Sequence, residues 1–152
     1  MFKSVLTVFC GGFIGVALRY LTNSAIPKLS VLPVGIALIN LIGCFALGFL
    51  TTFVKSRAIS ARTKLTIRLF LGTGLLGGFT TYSAVVVDSN LLLANGYSWL
   101  ATFYPFVTIV LGIVFAGLGV GFANKLALPK QTTHHPQSPN TPTHIAGPEK
   151  TK

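Results

Sequence analysis

Four long apolar stretches leave this chain little choice of solvent. They run from about Ser4 to Leu21, Pro33 to Val54, Leu65 to Leu93 and Trp99 to Leu126. Each is near or above the roughly 20 residues that a helix needs to cross the hydrocarbon of a bilayer. Charged residues make up 9% of the 152, against about a quarter in soluble domains. That is too little charge to cover a water-facing surface. The expectation is an all-α membrane protein with four transmembrane helices in residues 1–127, followed by a disordered polar tail over 128–152. The tail, from Pro129 onward, is rich in Pro, Thr, Gln, Asn and His.

The third stretch is too long for one simple crossing. Its middle reads Gly72-Thr73-Gly74-Leu75-Leu76-Gly77-Gly78-Phe79-Thr80-Thr81-Tyr82-Ser83. Each glycine weakens a helix by about 1 kcal/mol relative to Ala, and threonine hydroxyls compete for the backbone ladder. Glycines alone also suit a packing face for a neighbouring helix. With the clustered hydroxyls the reading is two half-helices with a break near Gly77 to Thr81. Such a break is tolerated only where protein or a watery cavity surrounds it. Gly43 and Gly48 in the second span, and Gly112, Gly117, Gly119 and Gly121 in the fourth, are expected to allow close helix contact.

The formal net charge is +10, from 12 Lys and Arg against 2 acids. The cations lie outside the apolar runs and no aromatic platform accompanies them, so they read as orientation signals rather than as a nucleic-acid surface. Four spans place the N-terminus, the second loop and the C-terminus on one side. Near the membrane that side holds Lys3, Lys55, Arg57, Arg62, Lys64, Arg68, Lys125 and Lys130; the other holds Lys28. The bias predicts cytoplasmic termini in a plasma-membrane protein and a single direction of insertion. The N-terminal run continues to Tyr20 without a cleavage pattern, so it reads as a span and not as a removed leader.

Few polar groups enter the spans. Arg19 lies near the end of the first, where it can snorkel to headgroups or serve a site. Asp88, in the second half of the third, can cap or pair locally, with Arg19 or with a partner chain. Asn40, midway along the second, can bond a neighbouring helix or donate to a ligand. Cys10 and Cys44 read as small packing residues, with no disulfide or metal pattern. His134, His135 and His144 stand in the tail, and no histidine or glutamate lies within a span. Acid–base and nucleophilic catalysis therefore lack their parts, and the expectation is a protein that is not an enzyme. A small proton-coupled drug exporter needs an acid in its first span, and residues 4–21 contain none.

Three constellations are specific in combination. They are Gly12-x-x-Gly15-x-x-x-Arg19-Tyr20 in the first span, Pro33-x-Gly35-x-x-x-x-Asn40-x-x-Gly43-x-Phe45-x-x-Gly48 in the second, and Gly74-x-x-Gly77-Gly78-Phe79-Thr80-Thr81-Tyr82-Ser83 in the third. Over about residues 10–125 the chain resembles the small fluoride channel family. The resemblance implies an antiparallel dimer with two narrow anion paths, passive export of fluoride, and a central structural Na+ held by carbonyl oxygens of Gly77 and Thr80. It implies Asn40, Tyr82, Ser83, Tyr104 and Thr108 on the anion paths, and Arg19 supplying positive potential near a mouth.

The departures from the family pattern are specific too. The family runs Thr-Thr-Phe-Ser-x-Phe where this chain has Thr80-Thr81-Tyr82-Ser83-Ala84-Val85, and Gly112 stands where a hydroxyl is common. One of the two paths is thereby expected to be impaired, and a non-conducting structural subunit is the alternative. The charge bias points the same way. An antiparallel homodimer needs a chain that inserts both ways, so the expected partner is a homologous chain of opposite bias.

Overall fold

The structure is a computed structural model that describes residues 2–26 and 32–127. The loop holding Lys28, and the tail with its histidines, lie outside the described residues. Helix α1 spans Phe2–Ala25 and α2 spans Val34–Ser56. The third span is built in pieces: α3 (Ala61–Ile67), a π-helical stretch (Arg68–Leu76), the single turn α4 (Gly77–Phe79) and, after a gap, α5 (Ser83–Ala94). Helix α6 spans Ser98–Leu126. Among the described residues four helical segments are long and apolar enough to cross a membrane, the third reaching 34 residues from Ala61 to Ala94. At about 1.5 Å per residue that is some 50 Å of helix for a hydrocarbon layer of about 30 Å, so it must bend or break.

The ends follow local chemistry. Ser60 caps α3, its hydroxyl accepting from Thr63 N–H at 3.1 Å. Pro33 stands just ahead of α2, where a missing amide costs nothing. The α5–α6 turn is closed by Gly96 at φ 85°. There Tyr97 N–H bonds Leu92 O at 2.9 Å and Gly96 N–H bonds Leu93 O at 3.0 Å, the double bond pattern of a Schellman ending. Trp99 and Tyr97, at the start of α6, are exposed, and aromatics at the end of a span suit a membrane interface.

Two seams of small residues hold the bundle together. On α1, Gly11, Gly12 and Gly15 form one stripe against the π-helical stretch and α4. A methyl group on Gly78 would lie 2.5 Å from Gly12 O, and one on Gly74 would lie 2.8 Å from Val8 O, so the backbones touch directly. In the second seam, a methyl on Gly48 would run into Ala116 O and one on Gly119 into Phe45 O. Lipid is as apolar as leucine, so close backbone packing takes over the role that water-driven burial plays in soluble cores. Within this chain nothing lies within 4 Å of where side chains on Gly117 and Gly121 would be. They fall on the outer side of α6, turned away from α2.

Pro105 sits inside α6 and has no N–H to give Ala101 O. The Ser89 hydroxyl on α5 donates to that same carbonyl, which ties the two helices together. Beside it a small core of Ile36, Ile39 and Val85 is closed by Phe79, Ala84 and Tyr104, with Ile39 and Val85 at 0% exposure. Large apolar side chains elsewhere face outward, among them Phe9 at 68%, Phe13 at 72% and Ile113 at 68% exposed. Lipid or another chain must cover them.

Candidate functional site

The third span is interrupted at Thr80, Thr81 and Tyr82. Thr80 turns extended (φ −78°, ψ 154°) where Phe79 ends α4, and helical geometry resumes at Ser83. Sequence placed the break near Gly77 to Thr81; Gly77 itself is still helical. What it did not reveal is the π-helical stretch just before the break. It is a nine-residue run from Arg68 to Leu76, in which α1 approaches through its glycines.

The freed backbone is satisfied by α2. The Asn40 side-chain amide donates from Nδ2 to Thr81 O at 2.8 Å, and its Oδ1 accepts Thr81 N–H at 2.8 Å. One amide side chain thus answers both polar groups of the unwound residue. Three residues along α2, Gly43 leaves the space that the Thr80 methyl occupies. Thr80 turns its hydroxyl back onto Leu76 O at 2.9 Å. Thr81 Oγ1 lies 3.0 Å from Ser83 Oγ and accepts Ala84 N–H at 3.4 Å, a weak cap on α5.

These bonds redirect two amides. In an unbroken helix Thr81 N–H would close on Gly77 O, and Ala84 N–H on Thr80 O. Here the first goes to Asn40 and the second to the Thr81 hydroxyl. Across the break no backbone amide closes on the carbonyls of Gly77, Gly78, Phe79 or Thr80, so Gly77 and Thr80 are two of four left outside the ladder. Backbone carbonyls released in this way are hard oxygen donors, the donor type that suits a small hard cation.

Beside the break lies an open groove of about 430 Å³. Asn40 and Cys44 of α2 form one wall, Thr80, Thr81 and Tyr82 the break, and Thr108, Ile109, Gly112, Ile113 and Ala116 of α6 the other wall. Of the residues singled out from sequence, Asn40, Thr80, Tyr82 and Thr108 therefore meet in one place. Thr108 is 8% exposed and its hydroxyl donates to Tyr104 O at 2.8 Å. Tyr82 is 57% exposed.

Gly77, Ser83, Tyr104 and Arg19 are not among the groove's lining residues. Tyr104 packs on the small core, donates its hydroxyl to Pro33 O at 3.0 Å and lies beside Asp88. Arg19 is half-buried near the end of α1. Val85, expected from its family position to matter to a path, points into the core with Ile36 and Ile39. Gly112 does line the groove; a methyl there would lie 3.2 Å from Cys44 Sγ, so the thiol fills part of the missing side chain's space. Cys44, read from sequence as packing alone, had one available signal: it lies four residues after Asn40, on the same helical face.

The described residues thus form a four-span helical bundle whose third span breaks beside a polar-tipped groove. Residues 6–120 match the CrcB-like protein family, Camphor Resistance (CrcB), and the chain belongs to that family. It is 43% identical over 122 residues to a protein of Oceanobacillus iheyensis named fluoride-specific ion channel FluC, covering 80% of this chain and 92% of that one. It is 40% identical over 123 residues to fluoride-specific ion channel FluC 2 of Leifsonia xyli, covering 80% and 85%. It is 38% identical over 117 residues to fluoride-specific ion channel FluC of Bacteroides fragilis, covering 74% and 89%.

Proposed function

We propose that this chain is a subunit of a fluoride-specific ion channel that lets fluoride leave the cell passively. The observation that carries the reading is the meeting of Asn40, Thr80, Thr81, Tyr82 and Thr108 in one groove beside the broken helix, in a chain whose relatives bear that name.

Fluoride is small and strongly hydrated, so a path must offer hydrogen-bond donors in place of water. Asn40 spends one amide N–H on Thr81 O and has a second to offer. The Tyr82 ring presents an electropositive edge, and its hydroxyl adds a donor that phenylalanine lacks. Thr108 must swing its proton away from Tyr104 O to serve the ion. The side chains of Ile109, Ile113 and Ala116 on the facing wall offer no hydrogen-bonding group of their own. Arg19 adds positive potential towards one mouth, and Ser83 and Tyr104 extend or support the path at its ends.

The reading includes a structural Na+ at the Gly77 and Thr80 carbonyls, completed by the same carbonyls of a second subunit. When bound, that cation supplies fixed positive charge that holds subunits together and lowers the barrier for an anion. It includes cytoplasmic termini, from the cation bias of the loops, and an antiparallel partner. The same bias opposes dual insertion of one chain, so the partner is a homologue of opposite bias. The non-conducting alternative loses one of its supports, since Val85 occupies core rather than groove.

The test is fluoride efflux, followed with a fluoride electrode, from liposomes holding the purified chain. Rapid efflux with no chloride leak supports the channel and removes the need for a second gene product. Efflux only when a homologue of opposite bias is added supports the paired design. Silence in both settings overturns the channel reading.

A further inference from the structure

We infer that Asn40 is the positioning residue for the cation site as well as a groove donor, because it holds the third span open. The inference rests on the proposed carbonyl site and adds what keeps that site available.

The reasoning starts from the cost of a broken backbone in lipid. A polar group unsatisfied at mid-membrane costs several kcal/mol, so an interrupted span tends to heal by restoring its own ladder. Healing here means that Thr81 N–H returns to Gly77 O. That return would place a hydrogen bond on the Gly77 carbonyl, one of the two proposed to hold the cation, and compete for its lone pairs. Asn40 removes the incentive. It gives Thr81 both an acceptor for its N–H and a donor for its C=O, each at 2.8 Å. Gly43, one turn further on the same helix, makes room for Thr80 in the extended conformation that the break requires.

Asn40 also lines the groove. One side chain therefore stands between the anion's path and the cation's oxygens. With Asn40 in place, the break persists without help from the ion. Without it, a cation would have to hold Gly77 O against a competing amide, and its apparent affinity would fall by the energy of that competition.

The experiment is thermal melting of the purified full-length protein over a range of Na+ concentrations, with N-methylglucamine holding ionic strength constant. Fluoride efflux is measured in parallel. A ligand of the folded state raises the melting temperature with a midpoint that reports its affinity. Asn40→Leu keeps the bulk and removes both hydrogen bonds. The expected result is a Na+ midpoint raised about tenfold or more, the scale of about 1.4 kcal/mol of lost binding, together with loss of efflux.

A purely structural role would lower the melting temperature at every Na+ concentration and leave the midpoint in place. A purely groove-lining role would abolish efflux and also leave it in place. Either outcome overturns the inference while the cation reading survives. If the parent protein shows no Na+ stabilisation, the cation reading falls and this inference falls with it.

A second variant removes the amide that Asn40→Leu leaves without its acceptor, and with it the competition for Gly77 O. Thr81→Pro deletes the competing N–H, and the extended Thr80 suits a following proline. In the double variant Thr81→Pro, Asn40→Leu, the Na+ midpoint should return to within about threefold of the parent, since the ring cannot close on Gly77 O. A double variant that folds without a Na+ response overturns the inference.

Discussion

The two halves of the third span are neighbours in sequence and opposites in construction. The first half, from Ala61 to Phe79, is glycine-rich, partly π-helical and pressed backbone to backbone on α1. The second, from Ser83 to Ala94, is an ordinary α-helix fixed by side chains: Val85 in a small apolar core and Ser89 on the carbonyl that Pro105 releases. Steric fit without side chains holds one half; specific packing and hydrogen bonds hold the other. Between them Asn40 and Gly43 of α2 secure three unwound residues. A broken helix of this kind needs each half anchored separately, because neither can lean on the other's ladder.

That contrast can be attacked at graded strength. The largest effect should come from Gly15→Val. Any side chain there runs into Leu75 O and stands 2.9 Å from Phe79 N, and backbone cannot step aside. A loss of about 3 kcal/mol or more is expected, at the upper end of overpacking, seen as aggregated protein on size exclusion. Next is Val85→Phe in the other half. The site is fully buried, so added bulk should cost about 1–3 kcal/mol in melting experiments. It should not raise fluoride efflux; a gain in efflux would place Val85 on the path and undo its assignment to the core.

Smaller effects sharpen the picture at the break itself. Gly43→Ala pushes on the Thr80 methyl, a side chain that can shift. It should cost about 1 kcal/mol and slow efflux more than it lowers stability. Thr108→Val removes a hydroxyl bonded only to its own helix at Tyr104 O. Its stability cost should stay near 0.5 kcal/mol, while efflux falls clearly; unchanged efflux removes Thr108 from the path. Least of all, Gly117→Ala should be neutral, or more stable by up to about 1 kcal/mol from helix propensity. A marked loss there would reveal a partner packed on the open face of α6.

Much of this was legible in the residues. Hydropathy alone gave the four spans to within a few positions, and Gly72 to Ser83 announced an interrupted helix. The pairing of Asn40 with the break was present only as two open options, a helix–helix bond or a ligand donor. The structure supplies the bond to Thr81 and also puts Asn40 on the groove. Tyr104 and Thr108, four residues apart on α6, looked equivalent; packing separates them, sending Tyr104 to Pro33 and the core and leaving Thr108 on the groove. No local pattern marked Ser89 as the partner of Ala101 O.

What the sequence determined by itself was the solvent, the number of crossings and the weak point of the third, because these follow from hydropathy, length and backbone propensity, which are local. Only the tertiary structure decided which glycines touch, which way Val85 points and where the amides of Thr81 and Ala84 go. Those depend on the rotation and depth of one helix against another. In a bundle whose contacts are made by missing side chains, a shift of one residue exchanges a backbone contact for lipid.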